Sequence, residues 1–373
     1  MTQQAVQWSS FLPYDVAAEL AADPSAALVG RERRVAAVAL FADISGFTAI
    51  GEALGAGGAE ELTRILNAYF APVIALIQSY GGIVAKFGGD SLTAFFPHDP
   101  DEGEPAARRA VACALALQGQ AASHGDVEAA GAVFTLAMRA GLAAGELLCM
   151  VVGDEATRLE SIVAGGVLER AAAAEALAAR GEVVVHRDLL PALGAARAAP
   201  RDGRGEAARY FAVLSVAAVP DPAPLPPLPP LSAGAVRRIA AFLPPTIARR
   251  LDGDEVGFVS ERRAVTALFL GFDGFDYDGD PDVGARLQGF LGQVFATVAR
   301  YGGYVNKVDM GDKGSKALIL FGAPVAHADD AERALACALE LRALAGPGGA
   351  VAARLGVTAG AVFCGQVGSA CRQ

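Results

Sequence analysis

The sequence predicts an α+β fold of two tandem units, each an antiparallel sheet with helices on one face. Three observations predict it: an ordered internal repeat, strand-length apolar runs alternating with helical apolar faces, and a proline-rich stretch between the copies. The repeat keeps its order throughout. Val38-Ala39-Leu40-Phe41 through Gly46-Phe47 answers Thr266-Ala267-Leu268-Phe269 through Gly274-Phe275, and Tyr80-Gly81-Gly82 answers Tyr301-Gly302-Gly303. Lys86 answers Lys307, and Cys113 in Ala112-Cys113-Ala114-Leu115 answers Cys337 in Ala336-Cys337-Ala338-Leu339. Gly141, Cys149 and Gly153 answer Gly356, Cys364 and Gly368 at one constant offset.

Taken in order, Phe11-Leu12-Pro13 and residues 16–20 read as a short lead-in helix. Residues 35–41 read as a buried strand that ends at Asp43, and Gly46 opens a helix start. Leu62, Ile65, Leu66, Tyr69, Val73 and Ile77 recur on one helical face. Residues 83–87 and 92–96 flank the turn Gly88-Gly89-Asp90, a hairpin with an acid at its tip. Pro105 opens another helix, residues 134–143 and 147–153 read as paired strands, and 183–185 and 210–216 read as closing strands. This order fits a ferredoxin-like unit. Prolines at 220, 222, 224, 226, 227, 229 and 230 cannot donate to a ladder, so 219–231 reads as a stiff polyproline linker. A helix over 235–251, interrupted by Pro244-Pro245, leads into the second copy. The expected organisation is a lead-in segment 1–30, a first domain 31–218, linker and helix 219–260, and a second domain 261–373.

A chain of 373 residues that is 53% hydrophobic can bury two cores, and 19% charged residues with mean hydropathy +0.36 exclude a disordered polyelectrolyte. A net charge of −10 and a pI near 5.0 leave no basic footprint for nucleic acid. No apolar stretch approaches the roughly 18 residues a membrane helix needs, and the N-terminus lacks a signal pattern. The five cysteines are odd in number and show no Cys-x-x-Cys spacing, which argues against a disulfide frame or zinc site. The composition is that of a cytoplasmic protein.

Two short motifs carry chemistry. Phe41-Ala42-Asp43-Ile44-Ser45-Gly46-Phe47-Thr48 and Lys86-Phe87-Gly88-Gly89-Asp90-Ser91-Leu92 each put an acid where an apolar strand ends. Two carboxylates on neighbouring strand ends suit Mg²⁺, which takes its remaining ligands from water and phosphate. The amides of Gly46, Phe47 and Thr48, at a helix N-terminus, suit an anion such as a triphosphate. Asp276, Asp278, Asp280 and Asp282 imitate a calcium loop, but Pro281 stands where its glycine is required and Leu287 where its last acid is required.

On these motifs the chain resembles the class III nucleotidyl cyclases, and within them the tandem-domain soluble adenylyl cyclases that respond to bicarbonate. The resemblance runs from about Arg31 onward. It implies that Asp43 and Asp90 bind two metal ions, Mg²⁺ or Mn²⁺, assisted by the Ile44 carbonyl. It further implies that Lys86 reads adenine, which makes ATP the substrate, and that Arg139 in Met138-Arg139-Ala140-Gly141 contacts the triphosphate. Diguanylate cyclases share a Gly-Gly-Asp/Glu turn, but Ser91-Leu92 follows it here, so that likeness is weaker.

The copies differ where chemistry matters. Gly271 in Phe269-Leu270-Gly271-Phe272-Asp273-Gly274-Phe275 aligns with Asp43, while Asp312 lies near the place answering to Asp90. The resemblance implies that the two domains pair head to tail as a pseudo-dimer, one holding metal and its partner supplying an Asn and an Arg that stabilise the transition state. In the first copy's matching segment, Gly165-Gly166-Val167-Leu168-Glu169-Arg170-Ala171-Ala172-Ala173, Glu169 stands for that Asn and Ala173 for that Arg. The resemblance also implies a regulatory anion site for bicarbonate near Lys86, Val163, Lys307 and Met310, although Ala172 replaces its Arg and Gly311 its aromatic residue. The second copy stops shortly after Gly368, so by self-similarity it is expected to lack roughly 60 closing residues. The expectation is therefore an adenylate cyclase pair, weakly active as an N-terminal fragment of a larger signalling protein that continues in a C-terminal extension. The alternative is a non-catalytic module that senses nucleotide or bicarbonate.

Overall fold

The computed structural model describes residues 7–55, 57–194, 196–201, 205–216, 221–253, 261–311, 314–344 and 351–373. Packing gathers the chain into two units whose borders differ from those of the repeat. One comprises Arg34–Leu147, Gly165–Pro227 and Val367–Gln373; the other comprises Met1–Arg33, Leu148–Ala164 and Leu228–Gln366.

The larger sheet uses β1 (Glu32–Ser45), β2 (Ile83–Phe87), β3 (Ser91–Pro97), β6 (Ala137–Asp154), β7 (Arg158–Ala164), β8 (Val183–His186), β9 (Arg197–Pro200) and β10 (Tyr210–Ser215). A separate small hairpin is formed by β4 (Asp126–Ala129) and β5 (Ala132–Thr135). The strand order is β2-β3-β1-β6-β8-β10-β9, with β7 also paired to β6. The sheet is mixed rather than wholly antiparallel, because β6 and β8 run parallel with Gly141 opposite Val184. Of the expected helical face, Ile65, Leu66, Val73 and Ile77 of helix Ala59–Ser79 are buried against Val38, Leu40 and Ala42 of β1, together with Phe70 and Ile74, while Leu62 and Tyr69 are only partly buried. Burying such side chains contributes roughly 1.5–3 kcal/mol apiece.

One expected break is absent. Residues 134–143 and 147–153 do not pair with each other: 137–154 is a single strand of 18 residues, and its hairpin partner is β7, with Leu148 opposite Ala164 and Asp154 opposite Arg158. Gly141 does not turn the chain but admits helix Gly166–Leu177, since a Cβ there would lie 2.3 Å from the Ala171 carbonyl oxygen and 2.1 Å from the Glu175 nitrogen. Gly145 serves the same helix, its added Cβ falling 3.2 Å from Val167 Cβ.

In the other unit, β11 (Glu261–Asp273), β12 (Tyr304–Gly311), β13 (Gly314–Phe321) and β14 (Ala352–Cys364) run in the order β12-β13-β11-β14. That order repeats β2-β3-β1-β6. Leu148, Met150, Val152, Ile162 and Ala164 of the β6–β7 hairpin share a core here with Leu268, Leu270, Phe272, Leu291, Phe295 and Ile319. The lead-in helix Tyr14–Ala22 buries Val16 and Leu20 beside Ile239 and Leu251 of the short helices Ala233–Ala240 and Pro245–Asp252 and beside Phe242 and Leu243 between them. Ser232 caps the first of these by accepting the Ala235 amide at 3.1 Å. Gly356 and Gly360, the counterparts of Gly141 and Gly145, have no heavy atom within 4 Å of an added Cβ. Among the described residues no helix is long and apolar enough to cross a membrane.

His186 ends β8. It is buried, packs edge-on to Tyr210 at 5.2 Å, and has Nδ1 3.1 Å from Asp188. Burial pushes its pKa below the ordinary value, opposed by Asp188 and aided by the charges of Arg170 and Arg209.

Two measurements follow from this packing. Gly141→Ala should cost about 1–3 kcal/mol or more and lower Tm by several degrees, whereas Gly356→Ala should leave Tm unchanged or slightly raised; equal effects in calorimetry would contradict the packing argument. A histidine less basic in the folded state stabilises above its unfolded pKa of about 6.5, and that contribution is lost as pH falls through the folded value. Acidification from pH 7 to 5 should therefore destabilise the wild type more steeply than His186→Gln, by at most about 1.4 kcal/mol per pH unit.

Candidate functional site

Strand pairing brings the two motif acids together. Asp43 lies opposite Ser91, the residue after Asp90, and the Ile44 amide donates to the Asp90 carbonyl oxygen at 3.0 Å. The two acids thus sit on adjacent backbones at one end of the β1–β3 pair. The Asp90 turn is closed by the Gly88 amide donating to the Ser91 carbonyl at 2.7 Å, and Gly89 holds φ +84°, a conformation that strains any side chain. Gly46 has φ +98° and begins helix Phe47–Leu54, whose N-terminus has no side-chain cap. Phe47 is buried beneath it and Thr48 is exposed. The first amides of a helix without a side-chain cap are open to an anion on general grounds, which is the role expected of Gly46, Phe47 and Thr48.

Arg139 on β6 reaches the same place. Its Nη2 lies 2.5 Å from Asp43 Oδ2 and 3.0 Å from Glu175 Oε1. The hydrogen bond to Asp43 is the largest influence on the Arg139 pKa, which rises despite partial burial; the charges of Glu175, Asp43 and Asp90 add to it. The guanidinium expected on a triphosphate is therefore engaged by carboxylates. Three acids around one arginine leave a net negative site of hard oxygen donors, which fits a divalent cation. No group of three or more His, Cys, Asp or Glu side chains that could hold a metal ion occurs among the described residues, so side chains alone would leave the coordination of such an ion incomplete.

Lys86 is half-buried on β2, opposite Thr93 and directly after an irregularity between Val84 and Lys86. Lys307 follows the same irregularity between Val305 and Lys307, and its Nζ is 3.0 Å from Asp309. Val163 and Met310 are buried, the latter with its sulfur 3.4 Å from the Tyr277 hydroxyl, which also lies 2.6 Å from Ser315 Oγ. Val163, Lys307 and Met310 belong to one unit and Lys86 to the other. An anion at Lys307 competes with Asp309.

The second copy keeps an arginine without the acid opposite. Arg354 occupies the place of Arg139, and β11–β14 pairing sets it against Gly271. It pairs instead with Asp273 at 2.8 Å, two residues along the strand and on the same face. Asp312 lies outside the described residues. Sequence reasoning overlooked Glu175 and Arg354; the constant offset of the repeat points to Arg354, whereas nothing in the sequence links Glu175 to Arg139.

Residues 31–202 match the family model described as the adenylate and guanylate cyclase catalytic domain. Adenylate cyclase type 10 of Homo sapiens is 25% identical over 381 residues, and that of Rattus norvegicus 27% over 371; each alignment covers 90% of this chain and 22% of the relative. The chain thus spans about a fifth of the length of these curated relatives. A crystal structure of a class III adenylyl cyclase-like ATP-binding protein from Pseudomonas aeruginosa matches 96% of this chain and 86% of its own, with TM-score 0.60 and 16% identity, a likeness of fold.

Asp43→Asn and Asp90→Asn should each cost no more than about 1 kcal/mol, because the Asp43 pair is partly exposed and Arg139 keeps Glu175. Urea denaturation checks this. A loss well above that figure would mean that the acids are structural rather than available for ligands.

Proposed function

We propose that this chain, whose residues 31–202 match the model of the adenylate and guanylate cyclase catalytic domain, binds metal–ATP at Asp43 and Asp90 and converts it to cyclic AMP and pyrophosphate. The observation that carries the reading is that Asp43 on β1 and Asp90 in the turn before β3 lie at one end of that strand pair, beside a helix N-terminus without a side-chain cap. Asp43, Asp90 and the Ile44 carbonyl would hold two divalent ions, Mg²⁺ or Mn²⁺. Such ions supply a lowered pKa at the ribose 3′-hydroxyl and neutralise charge on the reacting phosphate. Lys86 orients the adenine, and the amides of Gly46, Phe47 and Thr48 receive triphosphate oxygens. Arg139 holds the Asp43 carboxylate in one orientation and adds positive charge beside the phosphates. The 3′-oxygen attacks the α-phosphorus, the bond to the β-phosphate oxygen breaks, pyrophosphate leaves, and the hydroxyl proton passes to solvent.

A second reading is a non-catalytic nucleotide-binding module. The fold neighbour of the whole chain is likewise described as a cyclase-like ATP-binding protein. On that reading the same pocket senses ATP, or a small anion such as bicarbonate near Lys86 and Lys307, without turnover.

Calorimetric titration with Mn²⁺ and a non-hydrolysable ATP analogue, alongside a cyclic AMP assay, separates the two. Asp43→Ala and Asp90→Ala should abolish metal-dependent binding and lower any turnover at least 100-fold, while Asp273→Ala should change neither. Undiminished binding by Asp43→Ala would remove the proposed site. Tight binding without cyclic AMP selects the sensing module.

A further inference from the structure

The charges around Asp43 do not balance once the proposed ligands are in place. Asp43, Asp90 and Glu175 surround one cation, Arg139, which leaves carboxylates in excess. A triphosphate carries about as much negative charge as two divalent ions carry positive. The loaded site therefore stays negative unless a further cation meets the phosphates. Arg139 is poorly placed to be that cation, because its Nη2 alone lies 2.5 Å from Asp43 Oδ2 and 3.0 Å from Glu175 Oε1.

A second guanidinium reaches the same motif. A Cβ built on Gly46, three residues after Asp43, would lie 3.9 Å from Arg180 Nη2 and 3.1 Å from the Thr135 carbonyl oxygen. That carbonyl oxygen accepts a hydrogen bond from the same Arg180 nitrogen. Arg180 is exposed, and among the described residues no carboxylate pairs with it. Glu182, the nearest acid along the chain, is taken by Arg201 and by the Ala179 amide, the latter at 2.7 Å.

The turn that carries Arg180 is docked on β6. Helix Gly166–Leu177 places Glu175 against Arg139 and ends three residues before Arg180. The Gly181 amide then donates to the Met138 carbonyl oxygen at 3.1 Å, and the Ala140 amide to that of Glu182 at 3.0 Å. The turn is closed by the Glu182 amide donating to the Ala179 carbonyl oxygen at 3.0 Å. Because the bonds to Met138 and Ala140 bracket Arg139, the two arginines share one backbone frame. All of these residues belong to one unit.

We propose that Arg180 binds the terminal phosphates of the nucleotide, the task that Arg139, held between two carboxylates, leaves unfilled. This rests on the reading of Asp43 and Asp90 as the metal–nucleotide site. The Thr135 carbonyl occupies one N–H of the fork and fixes its place; the remaining donors lie in one plane and suit two phosphate oxygens. Charge-assisted bonds of this kind are roughly twice as strong as neutral ones. The same charge offsets that of the departing pyrophosphate.

The test titrates the full chain with Mn²⁺ alone, followed by electron paramagnetic resonance, and with a non-hydrolysable ATP analogue at saturating Mn²⁺, followed by calorimetry. Arg180→Ala should weaken the analogue about tenfold and leave the affinity for Mn²⁺ alone within about twofold. Arg180→Lys keeps the charge without the fork and should weaken the analogue about threefold; it decides the matter if Arg180→Ala does not fold. Arg108→Ala removes another arginine bonded to a backbone carbonyl, that of Ala192, and should change neither affinity. If the folded Arg180 variants bind the analogue as the wild type does, while Asp43→Ala loses it, the role of Arg180 is overturned alone. Parallel losses of Mn²⁺ and analogue in those variants overturn it as well, since a phosphate contact would spare the metal. If the folded wild type does not bind the analogue, the metal–nucleotide reading falls and takes this inference with it.

Discussion

A strand that serves two cores must keep one alternation through both, and the structure depends on β6 doing so. Its even-numbered residues Met138, Ala140 and Leu142 enter the core of the larger sheet, and Leu148, Met150 and Val152, on the same strand face, enter the core of the smaller one. The odd-numbered row carries Arg139 to Asp43, presents Gly141 and Gly145 to helix Gly166–Leu177, and sends Val151 to the cluster around the lead-in helix. Because side chains alternate with period two, a one-residue insertion between these stretches would invert one set relative to the other. Core composition, helix docking and the site therefore share one register.

The site inherits a tension from that arrangement. Asp43 is held by a guanidinium while its expected task is to hold a metal ion, and a carboxylate with two oxygens can serve both only if one oxygen is left to the ion. Arg139 donates to Oδ2, so it fixes the orientation of the group without consuming its whole acceptor capacity. The second copy shows what remains when the strand acid is lost: Arg354 swings to Asp273, and both side chains are largely exposed. Such an exposed pair contributes at most about 1 kcal/mol.

Much of this was legible in the residues. The strand before Asp43, the hairpin around Asp90, the helical face from Ile65 to Ile77 and the asymmetry of Asp43 and Gly271 are local patterns, and periodicity and turn chemistry report local structure. What escaped is through-space. The continuity of β6 was hidden because two strand glycines resemble a break until the helix pressing on them is known. Arg139 and Asp43 stand 96 residues apart in sequence, and Arg372 reaches across 288 to the Val84 carbonyl. No spacing rule spans such gaps. The burial of His186 is a further case, since a polar residue after three valines gives no sign that Tyr210 will cover it.

The bare glycines of β14 have a consequence for how the molecule behaves in concentrated solution. Gly356 and Gly360 give that strand flexibility without the close helix contact that Gly141 and Gly145 repay, and Phe269 stands beside Gly356 on β11 with 46% of its surface exposed. Over its thirteen residues β14 carries one charge, Arg354, and it ends the order of its sheet among the described residues. Edge strands are ordinarily blunted by several charges, a proline or a bulge. A long, weakly charged strand of this kind can serve as a template for a further backbone, from this protein or another copy, and the overall negative charge opposes encounters between copies.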